Sequence, residues 1–233
     1  MYRNLKPALI VETADLLRKR IQERFPESSL GKVAGELLAV ARQSAETARW
    51  LSRPLWPLRI AVGVCIMAMA LGVAGAAANL NVEVGNIALA DLLQAVEAAV
   101  NDLVFLGIAV FFLFSWENRI KRRRALKALH ELRSLAHIID MHQLTKDPEA
   151  LTAGYAGTPS SPGRTMTPFE LARYLDYCSE ALSIISKVAA VYVQEFDESV
   201  TLSAVNELES LTTGLSRKIW HKLVILNRVV GAP

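Results

Sequence analysis

The stretch Ile60-Ala-Val-Gly-Val-Cys-Ile-Met-Ala-Met-Ala-Leu-Gly-Val-Ala-Gly-Ala-Ala-Ala78 contains no charged residue. At about 1.5 Å of rise per residue, a helix of this length reaches most of the way across a hydrocarbon core of ~30 Å. A second apolar run, Leu103-Val-Phe-Leu-Gly-Ile-Ala-Val-Phe-Phe-Leu-Phe-Ser-Trp116, ends against the bases Arg119, Lys121, Arg122, Arg123 and Arg124. Between the two runs lies Leu80-Asn-Val-Glu-Val-Gly-Asn86, a short connection with one acid and no base. Residues 58–116 therefore read as a transmembrane hairpin, with spans at about 58–78 and 97–116.

Working outward, the flanks orient this hairpin. Arg49, Arg53 and Arg59 precede the first span and five bases follow the second. The excess of Lys and Arg on cytoplasmic flanks places both termini in the cytoplasm and the connection outside. Trp50, Trp56 and Trp116 then fall near the inner interface, where indoles favour the headgroup layer. Residues 1–57 mix Glu12, Asp15, Glu23 and Glu27 with bases and have no apolar core of their own, so the first span is expected to direct insertion. The expected location is the plasma membrane, the inner membrane of a bacterium.

Composition agrees with a chain of two characters. It is 52% hydrophobic with mean hydropathy +0.26, too apolar for an average soluble domain, yet 21% of its residues are charged, most of them outside the hairpin. The net charge of +3 is small, and the bases gather at the hairpin ends rather than along a groove with interleaved aromatics, which argues against nucleic-acid binding. Cys65 and Cys178 fall in a span and in a water-soluble helix, so two separate thiols in a reducing compartment are expected.

The remainder reads as helix throughout. In residues 1–57, Leu16, Leu17, Ile21 and Phe25 recur at helical spacing before Pro26, and Ser28 or Ser29 caps a second helix with Leu30, Ala34, Leu37, Ala41, Ala45 and Ala48 on one face. Pro54 and Pro57 break the chain before the membrane. After the basic run, Ala125, Leu129, Leu132, Ala136 and Ile139 follow a 4, 3, 4, 3 spacing, so the second span continues as a cytoplasmic helix over residues 117–150. Residues 151–167, rich in Gly, Pro, Ser and Thr, read as a linker. Thr167-Pro-Phe-Glu170 carries the signature of a capping box with proline at the first helical position. It opens a C-terminal helical hairpin over residues 168–233. The first of its helices has the most regular seam in the chain: Leu171, Leu175, Cys178, Leu182, Ile185, Ala189 and Tyr192. The second presents Leu208, Leu211, Leu215, Ile219, Leu223 and Leu226. The expected fold is all-α, a two-helix transmembrane hairpin joined to a cytoplasmic helical bundle.

Four groups of residues are candidates for function. The apolar part of the second span is shorter than the ~20 residues that crossing requires, so the span begins near Glu97 and draws Asn101 and Asp102 into the outer leaflet. Carboxylates at that depth are functional candidates because an unpaired charge in lipid costs several kcal/mol. Asp91, Gln94, Glu97 and Asn101 share one helical face. In a homo-oligomer that face, with Asp102, lines a cation path; otherwise it meets solvent or the first span. Ala68, Gly72 and Ala76, four apart, form a small-residue face suited to close helix packing, either within the hairpin or between subunits. Arg119, Lys121, Arg122, Arg123 and Arg124 set the topology and meet anionic headgroups, each base adding roughly 1 kcal/mol. His137 and Asp140, three apart on one face, have a spacing at which two side chains could share a metal. His130 lies about 10 Å away along the helix and His142 points elsewhere, so no metal or other cofactor is expected.

No nucleotide-binding, thiol-redox, zinc-protease or serine-hydrolase signature is present, and the chain reads as a non-enzyme. The favoured expectation is an oligomeric membrane protein whose second span lines a cation-permeable pore. The alternative is a membrane-anchored scaffold or adaptor whose cytoplasmic bundle recruits a protein partner.

Overall fold

The computed structural model describes residues 4–79, 89–151, 156–161 and 166–231. Among these residues six α-helices follow in order: α1 Pro7–Arg24, α2 Ser29–Leu51, α3 Trp56–Asn79, α4 Leu89–Leu144, α5 Pro168–Glu195 and α6 Ser199–Gly231. A 3-10 turn, Pro148–Leu151, lies between α4 and α5. Among the described residues there is no strand, and the fold is all-helical. The connection after Asn79 and residues 152–155 and 162–165 of the Gly/Pro/Ser/Thr linker lie outside the described residues.

The chain divides into two compact units. One comprises Met1–Ser52 with Arg122–Pro233; the other is Arg53–Lys121. The N-terminal helices, the C-terminal part of α4 and the C-terminal helical hairpin thus share one core. α4 is continuous through 56 residues and contributes to both units.

In the first unit α5 is the central element. The seam Leu171, Leu175, Cys178, Leu182, Ile185, Ala189 and Tyr192 is buried along its whole length. A second row, Tyr174, Tyr177, Ala181, Ile184, Val188 and Val191, is buried as well. A helix covered on so wide an arc must be surrounded, and at about 1.5–3 kcal/mol per large apolar side chain the two rows dominate the stability of the unit.

Side-chain bridges fix the directions of its neighbours. Leu5 pairs with Gln194 and Arg20 with Glu180, so α1 runs antiparallel to α5. Arg122 meets Glu198, Arg133 meets Glu207 and Lys222 meets Gln143, so α4 and α6 run parallel. Arg124 stacks on Trp50 while His142 meets Ser29, which sets α2 antiparallel to α4. α2 and α5 therefore point one way, and α1, α4 and α6 the other.

Local chemistry explains the ends. The capping box at Thr167 is complete: the Glu170 amide donates to Thr167 Oγ1 at 3.2 Å and the Thr167 amide to Glu170 Oε2 at 2.8 Å. α6 starts on a carboxylate instead, with Glu198 Oε2 accepting from the Thr201 amide at 2.9 Å. Ser28 sits at the N-cap of α2 without capping it by its side chain, and its hydroxyl is buried without a partner. The turn is closed by the backbone, Gly31 N–H donating to Ser28 O. α1 also differs from expectation. Its buried stripe is Ile10, Ala14, Leu17 and Ile21, and Leu16, about 100° away around the helix, is 52% exposed.

The second unit contrasts sharply. Most of its described apolar side chains are bare: Ile60 is 61% exposed, Leu71 67%, Leu103 70% and Phe111 74%. Half-buried Val62 and Met69 on α3, and Leu106 and Val110 on α4, mark the sides on which the two helices are covered. Both helices carry stretches long and apolar enough to cross a membrane.

Candidate functional site

The most organised polar site in the hairpin unit is at its foot. Glu117, the first residue after the second apolar run, is buried, and its carboxylate is held on both oxygens. Oε1 accepts from the Leu55 amide at 3.3 Å and faces Lys121 Nζ at 2.9 Å; Oε2 accepts from Arg59 Nε at 3.2 Å. The Leu55 amide precedes the first turn of α3 and has no helical acceptor of its own. One side chain on α4 therefore caps α3, pairs with a base on α3 and pairs with a base one turn along its own helix. Glu117 and Lys121 each keep only 9% of their side-chain surface exposed, whereas Arg59 keeps 52%. The strong part of the clamp is the Glu117–Lys121 pair with the Leu55 amide, because exposed pairs add little.

Sequence reasoning did not single out Glu117. The available signal was an acid among bases at the end of an apolar run, four residues before a lysine, the spacing at which helical neighbours meet.

This geometry redistributes the basic run. Lys121, expected on lipid headgroups, is buried against Glu117. Arg122 pairs with Glu198 at 3.2 Å, and the Arg124 guanidinium lies 4.4 Å from the Trp50 ring centroid. Arg119 and Arg123 remain exposed. Trp50, expected at the membrane interface, is half-buried against the bundle core beneath Arg124. Trp56 and Trp116 are exposed, and Trp116 packs edge-on against Phe112 at 5.5 Å.

The residues expected to form an acidic stripe fall within α4. Glu97, Asn101 and Asp102 are exposed beside exposed Val96, Val100 and Leu103. The side chains of Asp91 and Gln94 lie outside the described residues. On α3, Ala68 and Gly72 are exposed, and a Cβ added at Gly72 would meet nothing within 4 Å. Among the described residues nothing covers Ala68 or Gly72; the side chain of Ala76 lies outside the described residues. Ala68 also lines a shallow apolar groove with Ile60, Gly63, Val64, Met67 and Leu71.

The helix carrying His137 and Asp140 does not break. Asp140 Oδ1 accepts from Gln143 Nε2 at 2.6 Å, and His137 is exposed. His142 is engaged on both nitrogens: Nδ1–H donates to Ile138 O at 2.8 Å, which leaves Nε2 to accept from the Ser29 hydroxyl at 2.9 Å. Among the described residues no three His, Cys, Asp or Glu side chains converge as metal ligands would.

The far end of α4 is closed by a base from α6. Lys222 Nζ donates to Gln143 O at 2.6 Å and to Lys146 O at 2.9 Å, neutralising carbonyls at a helix C-terminus. Burial pushes the Lys222 ammonium below its ordinary value, against the attraction of Asp147 and Asp140.

In comparisons with known proteins the chain matches no family model, no curated protein and no solved structure.

Proposed function

We propose that this protein is an integral protein of the plasma membrane, with the hairpin α3–α4 in the bilayer and both termini, with the bundle, in the cytoplasm. The reading rests on the bare apolar surface of the hairpin, against a bundle that buries a large apolar core. Water is a poor solvent for such a surface, at about 25 cal/mol for each Å² left exposed, and lipid is a good one.

In this reading the hairpins associate into a homo-oligomer, since two helices cannot enclose a polar path alone. The open faces of α3 and α4 supply the contacts. Glu97, Asn101 and Asp102 turn toward the oligomer interior, away from lipid, and line a cation path. Ion flux through liposomes tests this. Glu97→Gln with Asp102→Asn is expected to reduce cation flux or selectivity, and unchanged flux in both respects, or a monomer by size in detergent, would remove the pore.

A second reading keeps the hairpin as an anchor and makes the bundle a recruiting module for a cytoplasmic protein. It is favoured by Trp220, 68% exposed on α6 beside exposed Arg217 and Lys218. Trp220→Ala leaves ion flux unchanged in either case and weakens partner capture only in the second.

A further inference from the structure

Both connections to the hairpin unit leave the bundle at one end. Ser52 is the last residue of the bundle before the hairpin and Arg122 the first after it, and the stacking of Arg124 on Trp50 keeps the two together. At this end α1, α2 and α5 part to form a cleft, lined by Ser52 itself. Its floor is apolar, from Val11, Ala45, Ala48 and Val191, and its rim carries Arg42 and Arg49 from α2.

The two arginines are seven residues apart, two turns on one face and about 10.5 Å by rise, a gap that two arginine side chains close from either side. Both are exposed. Among the described residues Arg42 has no hydrogen-bond or ion-pair partner, and Arg49 uses only Nε, donating to Ala45 O at 3.1 Å. Glu46 lines the same cleft between them and is paired with neither. Two guanidinium groups and one carboxylate leave one excess positive charge beside an apolar floor.

We propose that this cleft binds one anionic phospholipid of the phosphatidylglycerol class. Arg42 and Arg49 hold the phosphodiester through their unused N–H donors, which match phosphate oxygens in pairs. Glu46 accepts from a headgroup hydroxyl, and the acyl shoulder rests on Val11, Ala45, Ala48 and Val191. The excess charge of one matches a headgroup of one negative charge, and the carboxylate selects a headgroup that has hydrogen-bond donors. Phosphatidylcholine offers neither, and phosphatidylethanolamine has the donor without the net charge. The inference rests on the membrane reading above, which brings the end of the bundle next to the hairpin within reach of headgroups: Ser52 is six residues from the start of the first span.

The experiment is native mass spectrometry of the full-length protein in detergent, titrated with phosphatidylglycerol, phosphatidylethanolamine or phosphatidylcholine. One phosphatidylglycerol is expected to bind at least about tenfold more tightly than either other lipid. Arg42→Gln with Arg49→Gln abolishes that preference, while Arg217→Gln with Lys218→Gln, which removes equal charge from α6, retains it. Equal loss in both variants, retention in the first, or no preference among the lipids overturns the proposal. Displacement of the lipid by inorganic phosphate assigns the cleft to a free anion and overturns it too. Alkaline extraction separates this from the membrane reading: protein that stays with the membrane but shows no lipid preference defeats the cleft alone, and protein released by alkali defeats both.

Discussion

The Tyr192 hydroxyl donates to Ser44 Oγ across 2.8 Å in the interior of the bundle, joining α5 to α2. Ser44 in turn donates to Val40 O at 2.7 Å. The chain of donors is complete, so the phenol of the largest fully buried side chain has its partner. The two ends of this bond are not equivalent. Tyr192→Phe removes one donor and leaves Ser44 still bonded to Val40, at an expected cost of about 1 kcal/mol. Ser44→Ala strands a buried phenol and leaves a small void, at an expected cost of about 2–3 kcal/mol. Chemical unfolding in detergent, followed by circular dichroism, measures both. Equal losses would mean that the hydroxyl finds water or another acceptor.

The clamp on Glu117 leads to a similar asymmetry in the hairpin. Glu117→Ala leaves Lys121 buried without its counter-charge and exposes the Leu55 amide, so a loss of about 3 kcal/mol is expected. Arg59→Ala removes only the exposed partner and is expected to cost less than about 1 kcal/mol. Hydrogen exchange at the Leu55 amide reports the clamp directly. Exchange is expected to accelerate in Glu117→Ala and to change little in Arg59→Ala; protection that survives Glu117→Ala would show that the amide is covered in some other way.

These two sites show what was legible in the chain beforehand. The seam from Leu171 to Tyr192 was plain because apolar residues at 4, 3 spacing leave no other face to bury. The passage of α4 from apolar span to charged helix was plain because the spacing from Ala125 to Ile139 continues without a breaker. The second buried row of α5 was not, since Tyr174 and Tyr177 are amphipathic and sit equally well at a surface. The burial of Lys121 and Glu117 was illegible for a different reason. A charge beside a membrane span ordinarily faces water or headgroups, and only the approach of α3 provides the amide and guanidinium that make burial tolerable. Leu16 misled in the opposite direction, because an apolar residue is free to lie at the surface.

Acid should loosen the entry to α6. Burial raises the Glu198 carboxyl, but hydrogen bonds from the Thr201 amide and hydroxyl, the Val200 amide and Arg122 outweigh it, and the group is held below its ordinary value of 4.5. A depressed folded-state value means that the unfolded chain binds its proton first as pH falls. The contribution is therefore complete above about pH 4.5 and disappears as pH drops through the lower folded-state value. Unfolding free energies of wild type and Glu198→Gln are expected to differ at neutral pH and to converge below that window. A gap that persists at the acid end would mean that Glu198 acts through shape and not charge.

The two thiols give a direct test of where the hairpin lies. Cys178 is fully enclosed in the bundle, and burial pushes its thiol up to about 12, so it is a neutral, inaccessible group in the native protein. Cys65, on α3, is exposed by the fold of this chain and would react with any maleimide if water surrounded it. In intact membrane vesicles the two should be equally silent toward a charged, impermeant maleimide, Cys178 because the bundle covers it and Cys65 because lipid does. An apolar maleimide that partitions into the bilayer is expected to label Cys65 and still to spare Cys178, and denaturant should expose both. The Cys65→Ser and Cys178→Ser variants assign the labels. Rapid labelling of Cys65 by the charged reagent in sealed vesicles would place α3 in water and remove the membrane hairpin on which the proposed function depends.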